Sequence, residues 1–587
     1  MLSGRRRYVF VAAILAAICL LQWHSVRFAS DAFLPAHIPL PSDDDFIWRT
    51  IEHHYPVTSF RPLPTSTSKS QLPSVQAIGK PETAEQRRLR VARQQAIKDA
   101  FVRCWSAYKE RAWLHDEVTP ISGRPRDTFG GWGATLVDSL DTLWLMGLRD
   151  EFENAVAAVE ESISFSATDQ SEINIFETTI RFLGGLLSAY DLSQDRRLLI
   201  KARDVGDMIY KAFDTPNHLP VTRWNIQAAA DGERQAASSG ALLAEIGSLT
   251  MELTRLSLIT GDPKYYDAVQ HISELLAASQ KETKLPGMWP VVIDAANEKF
   301  DAGSDYAIGG MADSTYEYLP KMMAILGEKQ GLYQEMYERS MDVIHQHVLY
   351  RPMTPSDEDV LLAGSVHAEM HGNVPAYTLK SAGGHLDCFA GGMYALGGKL
   401  TSSQQHVDIG TRLTMGCVWA YNLTTTGVMA EYQHFTACPD RKGCTWDEAA
   451  WHRGIAEHHD EADPAAIAEA QRIPPGITKI SDARYILRPE AVESVFVMYR
   501  VTGEEKWRDM GWHMWEAIDA LTRTELANSA VNNVNHGPDE DAGMSDTMES
   551  FWLGETLKYL YLLFSEPSLV SLDEWVFNTE AHPFKRL

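Results

Sequence analysis

The chain has 587 residues, room for several average domains, with 45% apolar and 22% charged residues. That balance excludes a fully disordered, collagen-like or coiled-coil protein. Lys plus Arg is 53 and Asp plus Glu is 79, a formal charge of −26 that argues against nucleic acid as the main partner.

In chain order, Arg5, Arg6 and Arg7 precede an apolar run from Tyr8 to Leu21. Counted through Trp23 the run has 16 residues, short of the ~20 of a comfortable membrane span but enough for a thin bilayer. The arginines favour a cytoplasmic N-terminus. Residues 1–24 are therefore expected to form a tail and signal anchor of a single-pass type II protein, with the rest in the lumen of the endoplasmic reticulum or Golgi. A cleaved signal peptide ending before Ala32 is the alternative. Residues 25–84 carry prolines at 35, 39, 41, 56, 62, 64, 73 and 81, a Ser/Thr-rich stretch at 64–70 and no sustained apolar period. They read as a flexible lumenal stem.

Helical patterning resumes at Arg87–Tyr108, so the folded body is expected over 85–587. Apolar helical segments recur at Thr142–Leu148, Ile175–Tyr190, Leu242–Leu258, Tyr316–Leu326, Cys388–Leu396, Ala491–Tyr499 and Phe551–Phe564. More polar helices, such as Phe152–Glu161 and Lys264–Ala277, lie between them. A faint repeat relates Ile259-Thr260-Gly261-Asp262-Pro263-Lys264-Tyr265 to Val501-Thr502-Gly503-Glu504-Glu505-Lys506-Trp507. Seven apolar helices, each with an outer partner, predict an all-α closed toroid of helical hairpins; a solenoid or two stacked bundles is the alternative. Region 436–480 breaks the rhythm with the charged run 457–463 and Pro474-Pro475-Gly476, and reads as an exposed insertion.

The cysteines are Cys19, Cys104, Cys388, Cys417, Cys438 and Cys444. An oxidising compartment favours disulfides 388–417 and 438–444, leaving Cys104 free. Zinc is the competing use of Cys438 and Cys444, without a second pair nearby to support it. Asn422-Leu423-Thr424 is a glycosylation sequon.

Acids interrupt the apolar helices: Glu177, Asp313 with Glu317, Glu490 with Glu493, and Glu549 with Glu555. Carboxylates seldom enter such surroundings without partners. Helical spacing puts Asp313 with Glu317, Glu177 with Arg181, and Glu490 with Glu493 on common faces. Any one of them could be a structural ion pair, Arg181 neutralising Glu177 or Arg488 neutralising Glu493. As a set they point to one polar cavity. Two carboxylates in different environments are the minimal tool for glycosidic cleavage, one protonating the leaving oxygen and one activating water. The 16 Trp, 21 Tyr and 20 Phe offer flat faces for a pyranose ring, although most must be ordinary core.

The stretches DSLDTLWLMGL from Asp138, FETTIRFLGGLLSAY from Phe176, ADSTYEYLPK from Ala312, GHLDCFAGG from Gly384, LRPEAVES from Leu487, ESFWLGETLKYLYLLF from Glu549 and FNTEAHPF from Phe577 occur in order over about residues 88–584. Together they resemble the class I α-1,2-mannosidases, glycoside hydrolase family 47. The resemblance implies an (αα)7 barrel, inversion at the anomeric carbon and a requirement for Ca²⁺. By motif it implies Glu177 as proton donor, acting through a water, Glu490 as the base and Asp313 as a third essential acid. Thr579 is expected to bind Ca²⁺ through its carbonyl and hydroxyl, with waters and sugar hydroxyls completing the shell. Glu317, Glu493, Glu555 and Glu580 would surround the sugar and the ion's waters, Arg181 and Arg488 would restrain acids, Phe551 would stack under the terminal mannose, and His385 is a site residue. Cys388 and Cys417 match the family disulfide.

Met311 stands where endoplasmic-reticulum enzymes that remove one middle-branch mannose carry arginine. A methionine cannot make bidentate hydroxyl contacts. The expected substrate is thus high-mannose N-glycans on glycoproteins, trimmed from Man9 toward Man5. The alternatives are a degradation-linked mannosidase acting on misfolded glycoproteins, with a possible redox partner, and a non-catalytic mannose-binding quality-control lectin.

Overall fold

The computed structural model describes residues 40, 45–64, 72–79, 81–327, 330–372, 374–459, 463–537 and 540–587. The expected anchor over 1–24 lies outside them. Among the described residues no helix is long and apolar enough to cross a membrane.

Helices dominate, and the main ones pair along the chain: α1 (Ala84–Arg111), α2 (Leu140–Leu145), α3 (Arg149–Ser162), α4 (Gly184–Ser193), α5 (Arg196–Lys211), α6 (Thr250–Thr260), α7 (Pro263–Ser279), α8 (Asp313–Leu326), α9 (Leu332–Val343), α10 (Ala390–Thr401), α11 (Gln404–Leu423), α12 (Glu490–Thr502), α13 (Lys506–Thr522) and α14 (Leu557–Leu563). Each even-numbered helix from α2 to α12 packs on the odd-numbered one that follows it, and α14 packs on α1. The even-numbered helices also touch in sequence, α2 to α4, α6, α8, α10, α12 and α14. The turn Trp552–Thr556, which leads into α14, returns to α2.

Burial separates the two sets. Every residue of α8 from Ser314 to Leu326 is buried, as is every residue of α12 from Glu490 to Val501. Outer helix α5 buries one stripe, Leu198, Leu199, Ala202, Val205, Met208 and Ile209, the spacing of an amphipathic helix on a core.

The faint sequence repeat is the turn between the two sets. Gly261 (φ 77°) and Gly503 (φ 67°) end α6 and α12 in the left-handed region, which glycine enters without a Cβ clash. Asp262 then caps α7 by accepting from the Lys264 N–H, with Pro263 preset for the first helical turn. At the start of the body, Thr83 and Gln86 form a reciprocal capping box that fixes where α1 begins.

The all-α expectation needs one refinement, because short antiparallel strands line the connections. Strand 365–371 pairs with 374–380 and 305–307, and 432–435 pairs with 382–384 and 477–482. A final hairpin pairs Trp575–Phe577 with Pro583–Lys585 and presents the turn 578–582.

Parts of the expected stem, within residues 45–64 and 72–79, make contacts with the folded body. In residues 45–64, Trp48 is buried and its indole N–H donates to the Phe165 carbonyl at 2.9 Å. Arg49 pairs with Asp204 and Asp207, Arg61 with Asp267 and Glu274, and Asp214 accepts from the backbone N–H of His54 and Tyr55. Val75 is buried too, its N–H held by Asp573. The order of these segments comes from acids far along the chain, so no local apolar period announces it.

The insertion has a core of its own. Trp451 and Ile455 on helix Glu448–Ala456, Ile467 on helix Pro464–Ala470, and Ile473 and Ile477 beyond them pack with Tyr350, Leu362 and Phe435. Both expected disulfides are formed, Cys388–Cys417 and Cys438–Cys444, and Cys104 is free and buried.

Candidate active site

A cavity of about 330 Å³ is lined by the starts of α8 and α12, the segment leading into α4, the turn before α14 and the tip of the last hairpin. Glu177, Arg181, Met311, Asp313, Glu317, Arg488, Glu490, Glu493, Phe551, Glu555, Thr579 and Glu580 all line it. Of the expected site residues only His385 stands behind the wall.

Glu177 ends the short helix Ile175–Glu177, capped by Asn174, whose side chain accepts from the N–H groups of Phe176 and Glu177. A π-helical turn, Thr178–Leu183, follows before α4, the kind of irregularity that re-aims side chains at functional sites. It places Arg181 so that Nε donates to Glu177 Oε2 at 2.9 Å while Nη1 reaches Ser550 Oγ at 3.0 Å and Glu580. The guanidinium also lies 4.3 Å over the Phe129 ring. Burial alone would lower its pKa, but Glu580, Glu177, Asp138 and Glu549 hold it well above the ordinary value.

Asp313 is the first residue of α8, and Oδ1 accepts from the Ser314 N–H at 2.9 Å. Its carboxyl is surrounded by protein and open on the cavity side. Burial, joined by the charges of Glu317, Glu490 and Asp387, pushes it up to about 7 against that one N–H. Glu317, one turn on, pairs with Lys321, which also lies 3.6 Å from Glu493.

Glu490 is the first residue of α12. Burial would raise it too, yet the hydrogen bond from His385 and the charges of Arg488 and His385 hold it below the ordinary value. His385 Nδ1 sits 2.8 Å from Glu490 Oε2, and Nε2 sits 2.7 Å from the Tyr421 hydroxyl. The Cys388–Cys417 bridge staples the His385 turn to α11, which also carries Tyr421. Arg488 lies 3.5 Å from Glu490 Oε1 and donates from Nε to Glu431 at 2.5 Å. The pairing of Arg488 with Glu493 is therefore corrected: Glu431 and Glu490 take the guanidinium, and Lys321 is the cation beside Glu493.

Glu493, Glu580 and Glu555 stay protonated more readily than usual. Glu493 rises to about 8 through burial and the charges of Glu317 and Glu490, against Lys321. Glu580 rises to about 8 through burial and the charges of Asp138 and Glu177, against Arg181. Glu555, on the π-helical turn Trp552–Thr556, is raised well above the ordinary range by burial and by Glu580, Glu490 and Glu493.

The hairpin tip is held by Asn578. Its Nδ2 donates to the Ile180 carbonyl and Glu252, and its Oδ1 accepts from the N–H groups of Glu580 and His582. This fixes Thr579 at the cavity, its N–H 3.3 Å from the Tyr318 hydroxyl. Three non-glycine residues take left-handed backbone beside the site: Met311 (φ 81°), Leu487 (φ 71°) and Ala581 (φ 58°). Such conformations cost about 1–3 kcal/mol each and persist where the surroundings impose them. Met311 is half exposed, and its carbonyl accepts from the Ala244 N–H at 2.9 Å.

Sequence reasoning missed several residues. Glu245 and Arg223 line the cavity and pair at 2.5 Å. Glu245 is another acid in an apolar run, so the same oddity would have found it. Lys321 is four residues after Glu317 and was legible by spacing. Glu431 and Asn578 give no local signal.

The lining also tests the site for a cation. Among the described residues no three His, Cys, Asp or Glu side chains converge to hold an ion directly. The cavity nonetheless gathers the eight expected acids, Glu549 among them, together with Glu245, against Arg181, Arg223 and Arg488. An all-oxygen donor set with surplus negative charge fits a hard divalent ion of the Ca²⁺ type, held mainly through water, rather than zinc.

The profile of Glycosyl hydrolase family 47 matches residues 100–586, and the chain belongs to that family. It is 36% identical over 503 residues to the mannosyl-oligosaccharide 1,2-alpha-mannosidase MNS1 of Arabidopsis thaliana, covering 84% of this chain and 78% of that one. It is 36% identical over 501 residues to the endoplasmic reticulum mannosyl-oligosaccharide 1,2-alpha-mannosidase of Rattus norvegicus, covering 84% and 68%. The fold superposes on the alpha-1,2-mannosidase from Trichoderma reesei with a TM-score of 0.73 at 32% identity, covering 84% of this chain and 99% of that one.

Proposed function

We propose that this protein removes terminal α-1,2-linked mannose from high-mannose N-glycans, with inversion and with Ca²⁺, inside an (αα)7 barrel. The circuit of helix contacts supports the barrel reading. The observation that carries the chemistry is the meeting of Glu177, Asp313 and Glu490 on one cavity, with Glu490 held charged by His385 and Arg488 as a base requires.

In this mechanism Glu490, charged and oriented by His385, takes a proton from the water that attacks the anomeric carbon. The leaving oxygen receives a proton from Glu177 through a water, and Asp313 keeps its own proton toward neutral pH and hydrogen-bonds the substrate. Arg181 and Arg488 hold the acids in register, and Phe551 offers its face to the terminal ring. Thr579 would hold Ca²⁺ by its carbonyl and hydroxyl, with Glu317, Glu493, Glu555 and Glu580 receiving its waters. The bound ion supplies positive charge that offsets the crowded carboxylates and orients sugar hydroxyls.

Met311, lacking any fixed hydrogen-bond donor, supports broad trimming from Man9 toward Man5. The basic residues before the apolar run, together with the two disulfides of the body, support a lumenal catalytic domain on a type II anchor in the endoplasmic reticulum or Golgi. Asn422, exposed on the last turn of α11, is the proposed N-glycan site. Cys104 is wholly buried and burial raises its thiol pKa, so it offers a redox partner nothing, which weakens the degradation-linked reading.

Digestion of Man9GlcNAc2 with isomer-resolved products tests the proposal. Man5 is expected, with activity lost on chelation and restored by Ca²⁺. Accumulation of the single middle-branch-trimmed Man8 isomer refutes broad trimming. Full turnover after exhaustive chelation refutes the metal requirement.

A further inference from the structure

Behind the cavity wall, Asp138, Asp141, Lys558 and His582 are almost wholly removed from solvent, and the reaction above makes no use of them. Asp141 is fully engaged: Ser188 Oγ, Lys558 Nζ and His582 Nδ1 each lie 2.8 Å from it. The other ring nitrogen, His582 Nε2, faces Asp138 Oδ1 at 3.5 Å, and neither of those two atoms has another partner. A neutral ring between two carboxylates would turn a lone pair toward one of them, so the geometry calls for a proton on each nitrogen. The second Asp138 oxygen accepts from Ser550 Oγ, and Ser550 accepts from Arg181 Nη1 at 3.0 Å. The same guanidinium lies 3.5 Å from Asp138, donates to Glu177 at 2.9 Å and pairs with Glu580.

We propose that His582 is a positioning residue for hydrolysis, an imidazolium cross-link between Asp138 and Asp141 that fixes Asp138 and, through Ser550, the Arg181 guanidinium that orients Glu177 and Glu580. The proposal rests on the hydrolase reading above. A cluster that merely stabilised the fold would need no directed link through Ser550 to a cavity residue. Here each link is a named hydrogen bond or ion pair, and the chain ends on two carboxylates that face the cavity.

His582→Gln, Ser550→Ala and their combination test it on α-1,2-mannobiose, with Tm followed in parallel. Glutamine has one amide NH₂ and reaches only one of the two carboxylates. The expected result is a kcat lower by about 10- to 100-fold in each single variant, with KM within about threefold, because the reacting groups are misaligned rather than removed. The double variant should be no slower than the slower single one, since both changes cut the same link. Ser550→Ala should lose kcat while keeping more of its Tm than His582→Gln. A kcat within twofold of the parent in both folded variants, or losses that multiply in the double variant, overturns the proposal. Should His582→Gln not fold, Ser550→Ala and Asp138→Asn are judged by the same thresholds. A parent enzyme without turnover would instead sink the hydrolase reading, leaving the two failures distinguishable.

Discussion

Asp313 and Glu490 begin two inner helices in the same way, each at the first helical residue and each facing one cavity, yet their acidities diverge. Both helix starts supply a favourable dipole, and both sites are desolvated. The difference lies in the partners. Asp313 has one backbone N–H and three nearby carboxylates. Glu490 has a histidine and an arginine, each of them anchored by a further residue, Tyr421 for the one and Glu431 for the other. Position in the fold makes an acid buried; the residues brought up beside it decide whether it keeps its proton.

Removal of one carboxylate charge should have the largest effect. Glu490→Gln should lower kcat by about 10³-fold, the order expected for a general base, and unchanged turnover would reject the assignment. His385→Gln comes next, with a loss of about 10²-fold. The sign of its pH effect follows from the contacts. In the proposed mechanism Glu490 acts deprotonated, and His385 helps to hold its pKa down, so loss of the imidazole raises that pKa. The acid limb of the kcat/KM profile should then move to higher pH; a limb that stays in place would show that His385 does not set the base.

At the other helix start, Met311→Arg should slow the later cleavages of Man9 several-fold and leave the first nearly unchanged, as read from timed product profiles. Equal slowing of all steps would remove Met311 as a determinant of branch choice.

The smallest effect concerns stability. Asp313 at about 7 and Glu493 at about 8 bind protons more tightly folded than unfolded. Their contribution is complete below the ordinary carboxylate pKa and is lost as pH rises through 7 to 8. Metal-free protein should therefore melt a few degrees lower at pH 8 than at pH 5, on the order of 2–5 °C. Added Ca²⁺ should raise Tm more at pH 8, where it no longer competes with protons. Equal Ca²⁺ shifts at both pH values would contradict the crowding of these acids.

Much of this arrangement was legible in the residues. Acids inside apolar helical runs pointed to one cavity because burial without a partner is costly, and the seven motif acids do meet there. The pairing of apolar with amphipathic helices followed from period alone. Other parts left no local trace. Trp48 and Arg49 sit in a proline-rich stretch whose order depends on Asp204 and Asp207, over 150 residues away. Glu431 reaches Arg488 from a separate loop, and the core of the insertion forms only when Tyr350, Leu362 and Phe435 arrive beside it. Periodicity reports what a segment offers to a neighbour and is silent on which distant side chain will accept it.

The contact between α1 and α14 has a consequence for synthesis. These partners are the earliest and the latest of the paired helices, separated by more than 400 residues of intervening chain. As the polypeptide emerges from the ribosome, Ala84–Arg111 must wait, apolar face uncovered, until Leu557–Leu563 arrives. Closure is thus among the least local contacts in the molecule and among the last to form. Thr579 lines the cavity and follows α14, so a chain made only as far as that helix still lacks part of the site.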